Sequence, residues 1–327
     1  DLHLSIRRQR QMCIRDRYRD AIVSFDKSLL LDSSAHNSSG VYIGRAYANL
    51  CLREPAKAVA DASEAIKLDP ALKYSYVTRA EAYAELREFE KGFLDAKKAI
   101  ELDGINPSAY LARAKLYLAK GDYEHSYEDA LKVLSLNKKY WRASEYVLAI
   151  DLIKGDIAGA IKVADQLITQ YPHAAVGYAD KATSYFCMGD LEQAGKSADK
   201  ALALQPDSLR ALQTRAFVAA RLGDEKKALD ILDRAEKLEP DGSIMAKDRV
   251  ISMLFLKKYQ EALALCDATI AKEAADGKQY RSDTTYRLRS EAYRRLKLNQ
   301  LADSDMKKAL EQGYQKNSVL EQYLRLL

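Results

Sequence analysis

A 34-residue period is the feature that most constrains what this chain of 327 residues can fold into. A Gly-Asp pair recurs at this spacing, and small residues and prolines keep the same period around it. The residues that mark the period are Gly121, Gly155, Gly189 and Gly223; Pro172, Pro206 and Pro240; and Ala58, Gly92, Ser126, Ala160, Ala194, Ala228 and Ala262. A chain of this length with such a period is expected to form an array of repeats rather than one compact core.

Each element of the period has a structural role. Glycine can adopt a positive φ and end a helix, the aspartate after it can accept backbone N–H groups and start the next helix, and proline interrupts a helix because it has no N–H. Between these residues lie two stretches of about a dozen residues with apolar side chains at helical spacing. One such pair of helices cannot bury its apolar face alone, so neighbouring pairs must stack. The sequence therefore predicts an all-α fold.

The stretch AYLARAKLYLAKGDY resembles the first helix and turn of a tetratricopeptide repeat. The residues that carry this resemblance are Tyr110, Ala114, Tyr117, Gly121 and Tyr123. The resemblance extends from residue 18 to about residue 313, with Lys138 in place of a proline and with a six-residue expansion before the last repeat. It implies a right-handed superhelical solenoid in which the first helix of each repeat lines a concave groove.

The resemblance also predicts how the chain is organised. The expected segments are 1–17, which contains no repeat residue; 18–35, the second helix of a half repeat; 36–313, eight tetratricopeptide repeats; and 314–327, a C-terminal helix. Residues 1–17 resemble translated sequencing-adapter DNA, and we interpret them as an artefact. Without their five arginines and two aspartates the net charge falls from +5 to +2, which removes most of the compositional case for nucleic-acid binding. The native N-terminus and any targeting signal are therefore not predicted, although the unpaired cysteines slightly favour the cytoplasm.

The sequence contains no arrangement of residues typical of a catalytic or metal site. The four cysteines are far apart and form no CxxC pair, and no glycine-rich phosphate loop is present. No apolar run approaches the roughly 18 residues that a membrane-spanning helix needs. We therefore predict that the protein is not an enzyme, needs no cofactor and binds no metal.

The predicted concave groove is the better candidate for function. The repeat register places apolar, aromatic and arginine side chains along residues 110–221 of this groove, a combination that suits a peptide or partner helix. The predicted groove residues are Leu111, Leu118, Arg142, Tyr146, Phe186, Arg210, Phe217 and Arg221. We therefore predict a protein or peptide partner, and we do not expect nucleic acid. An alternative for Phe186 and Phe217 is that they only pack against neighbouring helices.

Two other functions remain open from the sequence. The repeats could be a regulatory or targeting segment of a larger enzyme or secretion machine. Alternatively, the basic stretch near the C-terminus could bind an anionic partner or nucleic acid. This possible basic patch consists of Arg281, Arg287, Arg289, Arg294, Arg295 and Lys297. The sequence does not predict the oligomeric state.

Overall fold

The structure is a computed structural model that describes residues 2–31, 35–137, 140–238, 243–275, 282–314, 316 and 318–327. These residues form helices joined by short turns, and no strand occurs among them. The chain divides into two compact units, Asp1–Ile150 and Asp151–Leu327, which we call unit 1 and unit 2. The predicted all-α fold of stacked helical repeats is confirmed.

The helices follow the predicted period closely. Unit 1 contains α1 (Leu2–Leu31), α2 (Ala35–Cys51), α3 (Pro55–Leu68), α4 (Lys73–Leu86), α5 (Phe89–Leu102), α6 (Pro107–Lys120) and α7 (Tyr123–Leu136). Helix α8 (Trp141–Lys154) contains the boundary between the units. Unit 2 continues with α9 (Ile157–Gln170), α10 (Ala175–Met188), α11 (Leu191–Leu204), α12 (Leu209–Arg221), α13 (Glu225–Glu236), α14 (Ser243–Phe255), α15 (Tyr259–Ala275), α16 (Asp283–Arg295), α17 (Asn299–Glu311) and α18 (Val319–Leu324).

The first helix of the structure is longer than the predicted half repeat. Helix α1 begins at Leu2, so the backbone of residues 2–17 continues the helix that the repeat pattern places at residues 18–35. The ring of Phe25 in α1 lies against Gly44 of α2, where a Cβ atom would stand only 2.6 Å from it. Lys138 and residues 276–281 of the predicted expansion lie outside the described residues.

The turn between the two helices of a repeat has the predicted chemistry. Gly121 and Gly189 adopt φ values of 85° and 89°, a region that favours glycine. The carboxylate of Asp190 then accepts the backbone N–H of Gln193, which caps the second helix. Where the period has no glycine, other residues adopt the same left-handed conformation. These residues are Arg53, Arg87, Lys257 and Lys297.

The packing order creates one common face in each unit. The second helix of a repeat packs against its own first helix and against the first helix of the next repeat. In addition, first helices pack side by side: α2, α4 and α6 in unit 1, and α10, α12, α14 and α16 in unit 2. The small residues of the period, such as Ala58 and Ala194, are completely buried between these helices. We define an inner face for each unit. It is the side of the first helices that is turned away from the second helices.

Candidate protein-binding surfaces

The inner face of unit 2 is covered by the C-terminal helix of the same chain. Tyr323 of α18 places its ring against Phe186 of α10 and Phe217 of α12, with ring centroids 5.7 and 5.3 Å apart. Both contacts are edge-to-face, which is a favourable geometry for aromatic pairs. The ring of Phe255 completes the cluster at 5.5 Å from Phe186 and 5.8 Å from Phe217.

This cluster changes the interpretation of two predicted groove residues. Phe186 and Phe217 were expected to face a partner, but both side chains are completely buried. They pack against neighbouring helices, as the alternative stated above proposed, and against α18. In this structure they therefore contact an occupant from the same chain instead of offering a free surface.

Polar groups surround the buried tyrosine. Burial raises the pKa of Tyr323 well above its ordinary value, while a hydrogen bond with Thr183 and the charge of Arg210 act in the opposite direction. Arg210, another predicted groove residue, forms an ion pair with the fully buried Asp180. Burial raises the pKa of Asp180, and the ion pair with Arg210 opposes that rise. The inner face of unit 2 is thus apolar at its centre and charged at one side.

The residues around Tyr323 are anchored by two arginines. The guanidinium of Arg287 donates to both oxygens of Glu321, at 2.7 and 3.0 Å, and also to Glu291 at 3.1 Å. Arg221, a predicted groove residue, donates to the backbone carbonyl of Leu326 and lies over the ring of Phe255. Two arginines on the inner face therefore bind an acidic side chain and a free carbonyl.

The sequence analysis predicted a C-terminal helix but missed its role on this face. The signal lies in the last residues, VLEQYLRLL, where an acid and an aromatic residue stand among leucines. Such a segment cannot bury its apolar residues alone, so it needs a surface elsewhere in the chain. The repeat period gives no information about that surface, because the segment does not belong to a repeat.

The inner face of unit 1 has a different chemistry. Arg142 forms a hydrogen bond with Tyr47 and lies near Glu81. Burial raises the pKa of Glu81, and the charges of Lys115 and Arg142 partly offset that rise. Tyr146 also lies near Glu81, and burial raises its pKa. We call Tyr47, Glu81, Lys115, Arg142 and Tyr146 the inner patch of unit 1.

The remaining predicted groove residues of unit 1 are mainly structural. Leu111 is buried in a cluster with Val133 and Ala143, and Leu118 is half-buried. In contrast, the rings and charges of the inner patch reach solvent in part, since Tyr47 is 46% exposed and Arg142 is exposed. Arg142 and Tyr146 are therefore the predicted groove residues of unit 1 that a partner can reach.

The predicted basic patch is largely neutralised by carboxylates. Arg287 contacts Glu291 and Glu321, Arg289 contacts Asp267 and Asp305, and Arg295 contacts Glu291. Arg294 and Lys297 are exposed and form no ion pair with any other described residue, whereas Arg281 lies outside the described residues. Arg287, Arg289 and Arg295 of the possible basic patch therefore already have carboxylate partners within the chain.

The described ranges contain neither a metal-binding cluster nor a membrane-spanning helix. No cluster of three or more potential metal ligands occurs in them. None of their helices combines the length and the apolar character needed to cross a membrane. The thiols of Cys51, Cys187 and Cys266 are free, and burial raises the pKa of both Cys187 and Cys266 to about 12.

Known proteins with a similar sequence motif or a similar structure identify the class of the fold. Residues 107–140 match the family model of the tetratricopeptide repeat. A tetratricopeptide repeat protein from Parabacteroides merdae is similar in structure, with a TM-score of 0.60 and 17% identity over 76% of this chain and 99% of that chain. Yeast Tom70 is similar with a TM-score of 0.61 and 17% identity, over 90% of this chain and 60% of that chain. A monomeric mutant of IFIT1 with Gppp-AAAA is similar with a TM-score of 0.55 and 13% identity, over 84% of this chain and 71% of that chain.

No curated protein matches the chain. Residues 107–140 thus match a tetratricopeptide repeat, and the chain shares its fold with a tetratricopeptide repeat protein, as the sequence resemblance implied. This fold supports a protein-interaction scaffold, whereas identities below 20% carry no information about a particular partner.

Proposed function

We propose that the chain is a non-catalytic scaffold that binds a peptide or a partner helix on the inner faces of its units. The observation that carries this proposal is α18, which lies on the inner face of unit 2 and is held there by rings, an ion pair and a backbone carbonyl. Aromatic and arginine anchors of this kind dominate the binding energy of protein interfaces. A helix of another protein would find the same groups.

The inner patch of unit 1 supports the same function. It presents the tyrosine side chains of Tyr47 and Tyr146 beside the guanidinium of Arg142. Tyrosine supplies contact area at low conformational cost, and arginine supplies several donors in a fixed plane. Since no repeat helix covers Tyr47 completely, this patch offers a second surface for a partner segment.

An anionic partner at the C-terminal basic stretch is the less supported alternative. Carboxylates already occupy three of its arginines, so a nucleic acid would have to compete with these ion pairs. The IFIT1 structure contains Gppp-AAAA, so this fold is compatible with such a ligand in that protein. Our expectation of a protein partner therefore rests on the residues of this chain and not on the fold.

A selection with displayed random peptides on the full chain would test the proposal. Hydrogen exchange of the chain with a selected peptide should show protection on first helices, such as α4 and α6 or α10 and α12. Arg142→Ala for a peptide on unit 1, or Arg287→Ala for one on unit 2, should weaken binding by about 2 kcal/mol, roughly thirtyfold. Arg294→Ala is the control, because its side chain is exposed and forms no ion pair with another described residue, so the change should leave affinity unchanged. Protection confined to second helices, or a loss of binding only with Arg294→Ala, would contradict the proposal.

A further inference from the structure

Helix α18 has the properties of a bound segment rather than of a repeat helix. It contains six residues, Val319–Leu324, whereas isolated helices shorter than about 12–15 residues are marginal in water. Its stability must therefore come from the surface on which it lies. Gln322, Tyr323 and Leu324 are buried there, while Arg325 at its end is exposed.

The contacts of this segment connect it to several repeats. Tyr323 contacts rings of α10 and α12, Glu321 contacts Arg287 of α16, and Leu326 accepts a hydrogen bond from Arg221 of α12. Two of these three contacts use side chains of α18, and the third uses the backbone of Leu326. A peptide from another molecule with the same side chains could therefore make the same contacts.

The inner face beneath α18 is costly to leave uncovered. Phe186 and Phe217 are completely buried only because Tyr323 lies over them together with the neighbouring helices. Exposing apolar surface costs roughly 25 cal/mol per Å², so simple opening of this face is unfavourable. Replacement of α18 by another segment would keep the rings covered, and exchange is therefore favoured over opening.

The position of α18 in the chain makes such exchange feasible. It follows a turn at residues 312–313 and packs against far fewer neighbouring residues than the repeat helices do. Segments with low local contact density open at lower cost than the enclosed helices of the array. Because the segment belongs to the same chain, it acts at a high effective concentration, against which a partner must compete.

We propose that α18 is a displaceable occupant of the inner face of unit 2, and that the partner which displaces it is a protein segment of similar chemistry. This inference rests on the proposed function. The partner segment carries a carboxylate two residues before an aromatic residue and a leucine directly after it, as in Glu321-Gln322-Tyr323-Leu324. The carboxylate binds Arg287, the aromatic ring covers Phe186 and Phe217, and the backbone carbonyl three residues after the aromatic residue accepts from Arg221.

The first test uses the full chain and a fluorescent peptide with the sequence of residues 318–327. Tyr323→Ala in the protein should release α18, so the peptide should bind this variant at least about tenfold more tightly than it binds the wild type. Arg325→Ala is the matched control directly after the helix and should behave as the wild type, since its exposed side chain donates to Gln322 and does not contact the ring cluster. A peptide that carries alanine in place of Tyr323 should not bind either protein.

The second test begins with the wild-type chain, so that its first readout does not depend on a variant. Cys187 packs beside the cluster that contains Tyr323, so α18 protects its thiol. Cys266 serves as the reference thiol, because it is fully buried in α15, the second helix of a repeat. Adding unlabelled peptide to the wild-type chain should raise hydrogen exchange of residues 319–324. In Tyr323→Ala without peptide, alkylation of Cys187 should accelerate while that of Cys266 stays slow, as measured by mass spectrometry.

The outcomes separate this inference from the proposed function. The inference is wrong if hydrogen exchange of residues 319–324 stays as slow as that of α16 and α17 in the presence of peptide, and if Cys187 reacts only on global unfolding. In that case α18 is a permanent part of the core. Equal affinity of the peptide for wild type and Tyr323→Ala would also overturn the inference. A selected partner that binds without changing α18 protection would leave the scaffold function intact and refute displacement alone.

Discussion

Units 1 and 2 use the same repeat position to hold their helices together, but most of the side chains at this position pair in opposite directions along the chain in the two units. In unit 1, Arg45, Arg79 and Arg113 each pair with an aspartate 16 residues later, on the second helix of the same repeat. In unit 2, Lys181, Arg215 and Arg249 each pair with an aspartate 16 residues earlier, on the preceding repeat. Unit 1 thus stabilises single repeats with these ion pairs, whereas the three pairs of unit 2 connect neighbouring repeats. Arg289 in the last repeat of unit 2 does both, since it pairs with Asp305 of its own repeat and with Asp267 of the preceding one.

The surroundings of these ion pairs also differ. Asp95 in unit 1 has a side chain only 7% exposed and accepts two N–H groups of Arg79, at 2.7 and 2.8 Å. Asp199 in unit 2 is 60% exposed and accepts one N–H group of Arg215. Exposed pairs contribute little to stability, while a buried charge that loses its partner is costly. Stability should therefore depend more on the pairs of unit 1 than on those of Lys181, Arg215 and Arg249 in unit 2. The pair of Arg289 with the nearly buried Asp305 resembles the pairs of unit 1.

The inner faces show a parallel difference. The inner patch of unit 1 is polar and contains Tyr47, Glu81 and Arg142 in mutual contact or near one another. The inner face of unit 2 is centred on phenylalanine rings and is covered by α18. One repeat pattern has therefore produced two surfaces with different binding chemistry. The helix-forming positions of the repeat leave the inner-face residues free to vary.

The largest expected effect comes from a charge placed in the tight contact between helices of one unit. Ala194→Asp introduces a carboxylate at a completely buried position of α11, and we expect it to destabilise unit 2 by about 3–5 kcal/mol. Ala58→Asp should do the same in unit 1, because Ala58 is equally buried in α3. Hydrogen exchange should loosen mainly the unit that carries the change, since repeats interact chiefly with their neighbours.

The control for this comparison is Ala203→Asp, because Ala203 is an exposed residue of α11, the helix that contains Ala194. Its free energy of unfolding, measured with denaturant, should stay within about 0.5 kcal/mol of the wild type. If Ala194→Asp loosened both units to the same extent, the distinction between two units in stability would be lost.

A smaller effect should separate the two kinds of ion pair. Asp95→Ala leaves the guanidinium of Arg79 without its carboxylate in a half-buried position, and we expect a loss of about 2 kcal/mol in unfolding free energy. Asp199→Ala removes an exposed partner, so its cost should remain below about 0.5 kcal/mol. Denaturant unfolding of both variants measures the difference. Equal losses would mean that the direction of pairing has no energetic importance.

These ion pairs show what local sequence can and cannot predict. Gly121, Gly189 and their following aspartates determine turns through local backbone chemistry, and these turns were predicted correctly. The direction of the ion pairs could also have been read, since Ser63 stands 16 residues before Arg79 and Leu265 stands 16 residues after Arg249.

The environment of the inner face was harder to predict. The register places Phe186 and Phe217 on the first helices, but it cannot show that Tyr323, more than 100 residues later, covers them. Arg287 appeared to belong to a basic patch because its partner Glu321 lies in a different segment. Burial and charge at these positions depend on tertiary contacts of a segment outside the period.

The smallest expected effect concerns the cap of one helix in each unit. In unit 1, Asp122 accepts the backbone N–H of His125 and contacts its ring nitrogen Nδ1 at 2.8 Å, which raises the pKa of His125 above its ordinary value of 6.5. Because the folded pKa is raised, the stability from this contact is fully present below about pH 6.5 and is lost as the pH rises through the folded pKa. Asp190 caps α11 in the same way in unit 2, but its contact is the backbone of Gln193, which does not titrate.

Asp122→Asn and Asp190→Asn should both keep the cap, because asparagine caps helices about as well as aspartate. Only Asp122→Asn should lower the pKa of His125, which NMR titration measures. The melting temperature of this variant should approach that of the wild type as the pH rises, whereas the difference for Asp190→Asn should not change with pH. His125→Gln makes unit 1 resemble unit 2 at this turn and should abolish this pH dependence. If Asp122→Asn left the pKa of His125 unchanged, the carboxylate would not be its cause, and the caps of the two units would be equivalent.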